Sequence, residues 1–172
     1  LNHFEDKLLE IFDAIEYQTK DIVSIMFAHQ STHAWTTLCN SILGAKMNIQ
    51  SSWAIDSERE TRMVANSGNA LQSSVTVSCI PENKSGIGDY KEVQKEILKV
   101  IKKEVKLLYG LGFRGADLLT ACFGQAVSVF GKYELVEKAN GSEVTVAELL
   151  EMAREGAFDA IVSDIDTDDL SK

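Results

Sequence analysis

Proline occurs once in the 172 residues, at Pro81. A single proline excludes any motif that needs two adjacent prolines. Cysteine is almost as scarce. Cys39, Cys79 and Cys122 lie about 40 residues apart with no C-x-x-C pair, so zinc-ribbon spacing is excluded. An odd, sparse set points to reduced thiols and a cytoplasmic setting. Each cysteine is flanked by apolar or small residues, which predicts the role of a small buried hydrophobe. No apolar run reaches membrane-spanning length, and no signal-peptide pattern occurs. Leu1 stands inside a helical pattern without an initiator Met, so the native start is expected to lie elsewhere.

What is present is apolar enough to build a core: 45% of residues are hydrophobic. The length suits one domain, or one domain with an appendage. The formal net charge of −9 is unevenly spread. Residues 134–172 carry 11 acidic and 3 basic side chains, whereas the first 133 carry 15 and 14. The body is therefore nearly neutral, and the acidic end repels nucleic-acid phosphates. DNA binding through another face stays open.

Periodicity organises the chain. Phe4, Leu8, Leu9, Ile11, Phe12 and Ile15 share helical spacing and predict a helix over Phe4 to Tyr17. The run Ile22 to Ala28 is short, apolar and β-branched at its start, which predicts a strand buried on both faces. Ser31 or Thr32 can cap a helix over His33 to Leu43, ended by Gly44. Met47, Ile49, Ser51, Trp53 and Ile55 alternate as one face of a second strand. A polar stretch follows, with Ser67-Gly68-Asn69 as turn chemistry. Ser73 to Ile80 reads as a third strand, stopped by Pro81. Residues 82–89 read as a loop and as the best internal boundary. A long amphipathic helix comes next, starting at Asp89 or Tyr90 and running to Tyr109, then a turn over Gly110 to Gly115, then a helix rich in small residues over Ala116 to Phe130. Asn140-Gly141 marks a turn. Thr145 with Glu148 is a capping box for a helix to about Glu155. The stretch 163–172 is acidic and expected to fray.

Several constellations carry possible chemistry. Gly110-Leu111-Gly112-Phe113-Arg114-Gly115 matches G-x-G-x-x-G, but a helix precedes it where a dinucleotide fingerprint needs a strand, so a helix-to-helix turn is the better reading. His29 and His33 are four apart, yet no third ligand is evident, and His29 belongs at a strand end. Trp35 and Trp53 could stack a base; packing of a helix on a sheet is the plainer role for both. Ser, His and Asp are present without a G-x-S-x-G elbow. Arg59, Arg62, Asn66 and Asn69 lie in the polar stretch between strands, where they could contact phosphate or bases, or simply form a solvated loop. Lys95, Lys99, Lys102, Lys103 and Lys106 could form a modest phosphate-binding stripe, although interspersed glutamates describe an ordinary solvated helix face.

The run FAHQSTHAWTTLCNSILGAKMNIQSSWAIDSE, from Phe27 to Glu58, resembles the downstream segment of large prokaryotic adenine-specific DNA methylases. In that family a strand ending in this "fah" pattern leads to a Trp-bearing helix, a glycine, and a strand closing in W-x-I-x-S-E. The likeness continues through SSVTVSCIP and through the stretch from Gly115 to Glu155. There it rests on D-L-x-x-A-x-x-G-x-A from Asp117 to Ala126, F-x-x-Y from Phe130 to Tyr133, and N-G-x-x-x-T-V from Asn140 to Val146. Single elements are weakly specific; their order, up to about Phe158, is more so.

The resemblance implies an α/β fold. Its strands would be the last three of a Rossmann-like methyltransferase sheet (the fifth, then the antiparallel sixth and seventh), a mixed sheet with an antiparallel strand, followed by a helical C-terminal module. Residues 1–81 would be the C-terminal half of the methyltransferase domain, 82–89 a loop, 90–162 the helical module and 163–172 an acidic tail. The family's activity is transfer of a methyl group from S-adenosylmethionine to the exocyclic amine of adenine in DNA, after the base leaves the stack, in the setting of DNA methylation and restriction-modification. Two motifs carry that chemistry, a glycine-rich turn that holds the cofactor and an Asp/Asn-Pro-Pro-Tyr motif. The second needs adjacent prolines, whereas Pro81 is followed by Glu82. Neither motif is in this chain, so no catalytic or cofactor-binding residue is assigned, no metal is expected, and S-adenosylmethionine and DNA are a cofactor and a partner of the parent protein. The competing reading is a non-catalytic α/β assembly or binding module acting through protein contacts. Either way, one edge of the strand Ile22 to Ala28 lacks a neighbour. It is expected to be covered by another copy, by the C-terminal helices or by a further chain segment.

Overall fold

The computed structural model describes residues 2–29, 31–56, 73–81 and 86–169. In chain order the elements are α1 (Asn2–Gln18), β1 (Val23–Phe27), α2 (Thr32–Gly44), β2 (Met47–Asp56), β3 (Ser73–Pro81), β4 (Ile87–Asp89), α3 (Tyr90–Gly110), α4 (Gly115–Phe130), β5 (Leu135–Glu137) and α5 (Val146–Asp169). The fold is mixed α/β, with five helices and a small antiparallel sheet among the described residues.

That sheet has the order β1-β3-β2. β3 runs antiparallel to both neighbours, so β1 and β2 point the same way. Val75, Val77 and Cys79 of β3 oppose Phe27, Ile25 and Val23 on one side and Ala54, Ser52 and Ile49 on the other. These residues form the face that the helices cover. Pro81 closes β3 at its final position, opposite Met47, where a missing donor is tolerated.

α4 is the hub of the helical layer. Leu118, Ala121, Cys122, Phe123, Ala126, Val127, Val129 and Phe130 are all buried, and a helix apolar on every side belongs in an interior. It packs on β2 and β3, and α3 and α5 pack on it in turn. The contact with β2 is close. A Cβ at Gly124 would overlap Ser52, and one at Gly131 would overlap Asn48. Gln125 Nε2 donates to the Ser52 carbonyl at 3.1 Å, and the Ser52 hydroxyl donates to the Ala121 carbonyl at 3.4 Å. Glycine in an apolar helix thus marks backbone approach to the sheet.

Two strand expectations are corrected. β1 is not buried on both faces: Val23, Ile25 and Phe27 are half-buried, and Ser24 and Met26 are exposed. Among the described residues the helices lie over one face only, and β1 stands at the edge of the sheet. β2 does not keep Met47, Ile49, Ser51, Trp53 and Ile55 on one face. A bulge between Ile49 and Ser51 shifts the register, so Ser52 and Ala54 take over the inward positions and Trp53 turns out. Trp53 is 43% exposed, against 0% for Trp35. An extra residue in one strand flips everything beyond it.

The outer face is therefore crossed by the row Met26, Thr76, Trp53. The hydroxyls of Ser74 and Thr76 are buried there without a hydrogen-bond partner.

The remaining segments follow local signals with some extensions. Asp89 caps α3, its carboxylate accepting the N–H groups of Lys91 and Glu92. Within the expected loop, Ile87–Asp89 forms β4 and pairs in parallel with β5. Three-residue strands carry too little periodicity to be seen in sequence. The glycine-rich stretch after α3 is a helix-to-helix turn, with Gly112 at φ 97° and Gly115 at φ 54°. Gly141 takes φ 78° in the Asn140-Gly141 turn. The capping box forms: Thr145 N–H donates to Glu148 Oε2 at 2.9 Å, and Glu148 N–H to Thr145 Oγ1 at 3.2 Å. α5 runs on to Asp169 rather than stopping near Glu155. Ala153, Ala157 and Ala160 are buried, and Gly156 packs tightly on Leu98 of α3, so tertiary contact carries the helix past its local signals.

Candidate functional site at the carboxyl ends of β1 and β2

Because β3 opposes both neighbours, the carboxyl ends of β1 and β2 lie at one end of the sheet. Phe27 faces Val75 and Asp56 faces Ser73, both at the start of β3. In α/β folds, ligands gather at the carboxyl ends of strands, where following helices present their N-termini.

The turn from β1 into α2 is rigidly built. Ser31 is the N-cap of α2, and its hydroxyl accepts the His33 N–H at 3.2 Å. His29 Nδ1 accepts the Ser31 N–H at 3.0 Å. The neutral ring then carries its proton on Nε2. Trp35 is fully buried, and its indole N–H donates to the His29 carbonyl at 2.9 Å. Its ring meets Phe27 edge-on at 5.1 Å and Phe123 at 5.6 Å. Trp35 thus locks strand end, helix start and α4 together, as expected for a packing tryptophan.

Beside this turn lies a cavity of about 460 Å³, lined by Ser31, Thr32 and His33 of α2, by Ala116, Leu119, Thr120 and Phe123 of α4, and by Arg154 of α5. The N-terminal turns of α2 and α4 both border it, so backbone dipoles and the Arg154 guanidinium give it a positive rim. Arg154 also pairs with Glu151 at 3.6 Å. Arg154 and the N-terminus of α4 were not legible as a site in sequence, because they come from segments far apart along the chain. A second hollow, of about 420 Å³, lies by the C-terminal end of α2 and is bordered by Asn40, Tyr133, Glu134 and Glu143.

The other candidates sort by position. Arg59, Arg62, Asn66 and Asn69, together with the Ser67-Gly68-Asn69 turn, lie outside the described residues. Their segment joins Asp56 to Ser73 and so departs from, and returns to, the same end of the sheet as the α2 N-terminus. The lysines at 95, 99, 102, 103 and 106 are all exposed on α3, a helix that packs chiefly on α4 and α5. Trp53, three residues before the end of β2, is exposed on the outer face rather than packed in the core. Its expected packing role is thereby corrected.

The thiols are not nucleophiles. All three are buried and unpaired. Burial pushes Cys79 and Cys122 up to about 12, the Glu104 carboxylate adding to the effect at Cys122. Burial likewise raises Cys39, with Cys79 contributing. A thiol held protonated is unreactive. Among the described residues no three His, Cys, Asp or Glu side chains gather as a metal-ligand set, and no helix is long and apolar enough to cross a membrane.

Fold and site together define a small mixed α/β protein with a positively rimmed hollow at one end of its sheet. The chain matches no protein family, no curated protein and no solved structure.

Proposed function

We propose that this chain is the C-terminal part of an S-adenosylmethionine-dependent, adenine-specific DNA methyltransferase, holding scaffold rather than catalytic residues. The ordered motifs from Phe27 to Phe158 suggest the family. The strand arrangement carries the reading further: β1 and β2 are co-directional with one reversed strand between them, as befits the end of a Rossmann-like mixed sheet. The polar segment bearing Arg59, Arg62, Asn66 and Asn69 would then reach DNA from the end where the parent's cofactor and base meet. Three unpaired thiols suit a cytoplasmic home.

On this reading the isolated chain neither methylates adenine nor binds S-adenosylmethionine tightly. The coding DNA upstream of Leu1 specifies a glycine-rich turn and a Pro-Pro-Tyr motif, and the extended protein transfers methyl groups to adenine. Tight S-adenosylmethionine binding by the 172-residue chain in a calorimetric titration would overturn the proposal. So would an upstream frame without those motifs.

A second reading, an α/β assembly module acting through protein contacts, is favoured by one observation. Among the described residues, β1 pairs with β3 alone, and of the C-terminal helices it is α4 that packs on the sheet, over β2 and β3.

A further inference from the structure

α3 carries six of the chain's 17 basic residues and three of its 26 acidic ones. Of the five helices among the described residues it alone is positive on balance. In an acidic molecule this helix reverses the sign locally. Along the chain its glutamates lie between its lysines; on the helix they do not. At about 3.6 residues per turn, Lys95, Lys99, Lys102, Lys103 and Lys106 fall on about a third of the circumference, opposite the buried Val93, Ile97, Ile101, Val105 and Leu108. Glu92 stays in the first turn, at the positive end of the helix dipole. Glu96 turns aside to Lys132, at 3.4 Å. Glu104 is half-buried toward α4, where its charge acts on the Cys122 thiol.

The five lysines are thus one another's neighbours. Lys95 and Lys99, Lys99 and Lys102, Lys99 and Lys103, Lys102 and Lys106, and Lys103 and Lys106 are three or four apart, and like charges at these spacings destabilise a helix. Elsewhere Lys7, Lys132 and Lys138 each meet a carboxylate. Among the described residues none of the five does, and all five are exposed. An arrangement that costs stability and returns no contact within the fold marks a surface kept for something outside it. Five unpaired ammonium groups are also costly to bury against apolar protein. The face therefore belongs to solvent and to an anion, whatever else packs on the chain.

We infer that this face of α3 binds the phosphate backbone of duplex DNA, without reading its sequence. The choice of DNA among polyanions rests on the methyltransferase reading; the face itself does not. Chemistry narrows the rest. The lysines span about 16 Å of helix, a length over which each DNA strand presents several phosphates. Lysine meets phosphate as a point charge, without the planar fork by which arginine reads guanine, and α3 contains no arginine. Its two tyrosines, Tyr90 and Tyr109, pack against the core, so neither ring is free to stack an unpaired base. An anionic membrane is the poorer match. A helix that lies on lipid inserts its apolar face, and that of α3 is buried within the fold.

The test is fluorescence anisotropy of a short labelled duplex of random sequence, titrated with the full 172-residue chain at rising salt. Binding is expected at low salt and should weaken steeply as salt rises. K99Q/K102Q/K106Q should bind about tenfold more weakly, and the slope of log affinity on log salt should fall by about 0.9 for each lysine removed. Its thermal midpoint should be no lower than that of the unaltered chain, since like-charge repulsion is relieved, so lost binding is not lost fold. K99R/K102R/K106R keeps the charge and should keep the affinity. K7Q/K20Q/K46Q alters net charge equally at other exposed lysines and should bind as the unaltered chain does. No salt-dependent binding by the unaltered chain, equal losses in the two glutamine variants, or an unchanged salt slope would each overturn the inference. So would lysine-dependent binding to phosphatidylserine vesicles with none to the duplex. A loss confined to R59Q/R62Q would end this inference and leave the methyltransferase reading intact. Lysine-dependent duplex binding, beside an upstream frame without the glycine-rich turn and Pro-Pro-Tyr, would end that reading alone.

Discussion

The two edges of the small sheet are built oppositely. β2 is bulged, so its outer half is turned over, and it is clamped by α4 through Gly124, Gly131 and Gln125. β1 is straight and half-buried at best, with Val23, Ile25 and Phe27 packed against the core and Phe27 meeting Trp35 edge-on. One edge is finished by tertiary contacts of its own chain, and the other is left able to continue. Edge strands of equal position in a sheet thus differ because a bulge and a close helix consume the pairing capacity of one and not the other.

Substitutions can separate the two edges. Trp35→Ala should have the largest effect, a loss of about 4 kcal/mol in denaturant unfolding, because a fully buried ring and the tether to His29 both disappear. It should loosen the β1 end first, seen as faster amide exchange at Phe27 than in β2. Gly124→Val attacks the opposite edge. The added side chain overlaps Ser52, and overpacking of this kind costs about 3 kcal/mol, with faster exchange in β2. If both substitutions loosen both edges equally, the edges are not independent units. Thr76→Val acts on the strand they share. It removes a buried, unpaired hydroxyl and should raise stability by about 1 kcal/mol, since an apolar isostere lacks the desolvation penalty. Trp53→Ala should cost less than Trp35→Ala, about 1 kcal/mol, because Trp53 is 43% exposed against 0% for Trp35.

The smallest effect lies away from both edges and serves as a control. Lys138 donates to Glu148 at 2.7 Å. That hydrogen bond, helped by the Thr145 backbone N–H, holds Glu148 below the usual carboxylate range, while the same bond raises Lys138. A lowered carboxylate contributes stability that is present above its ordinary value and lost as pH falls through the shifted one. Glu148→Gln should therefore flatten the acid limb of a stability–pH profile below the ordinary 4.5 and leave the profile at neutral pH unchanged in shape. It should move neither β1 nor β2 exchange.

Much of the secondary structure was legible because its signals are local. The Ser31 cap, the Thr145–Glu148 box and the glycine turn before α4 each depend on residues within a few positions. The buried cysteines were also legible from their apolar neighbours. The failures share a different cause. Alternation from Met47 to Ile55 suggested one continuous face, but pairing with β3 inserts a bulge that only the partner strand can impose. An apolar run suggested burial on two faces for β1, but apolarity does not state how many layers will cover a strand. The cavity beside Ser31 joins Arg154 to residues more than a hundred positions earlier. No spacing rule reaches that far.

By itself the sequence determined where the five helices and the three longer strands lie, which thiols are inert, and that no adjacent prolines are available for an adenine-methylating motif. Those properties reside in composition or in contacts a few residues long. The tertiary structure alone decided which strand lies between the other two, which tryptophan is buried, and which edge remains open. Each of these depends on non-local pairing: β3 opposing both neighbours, α4 pressing its glycines onto β2, and the absence of any described strand beyond β1.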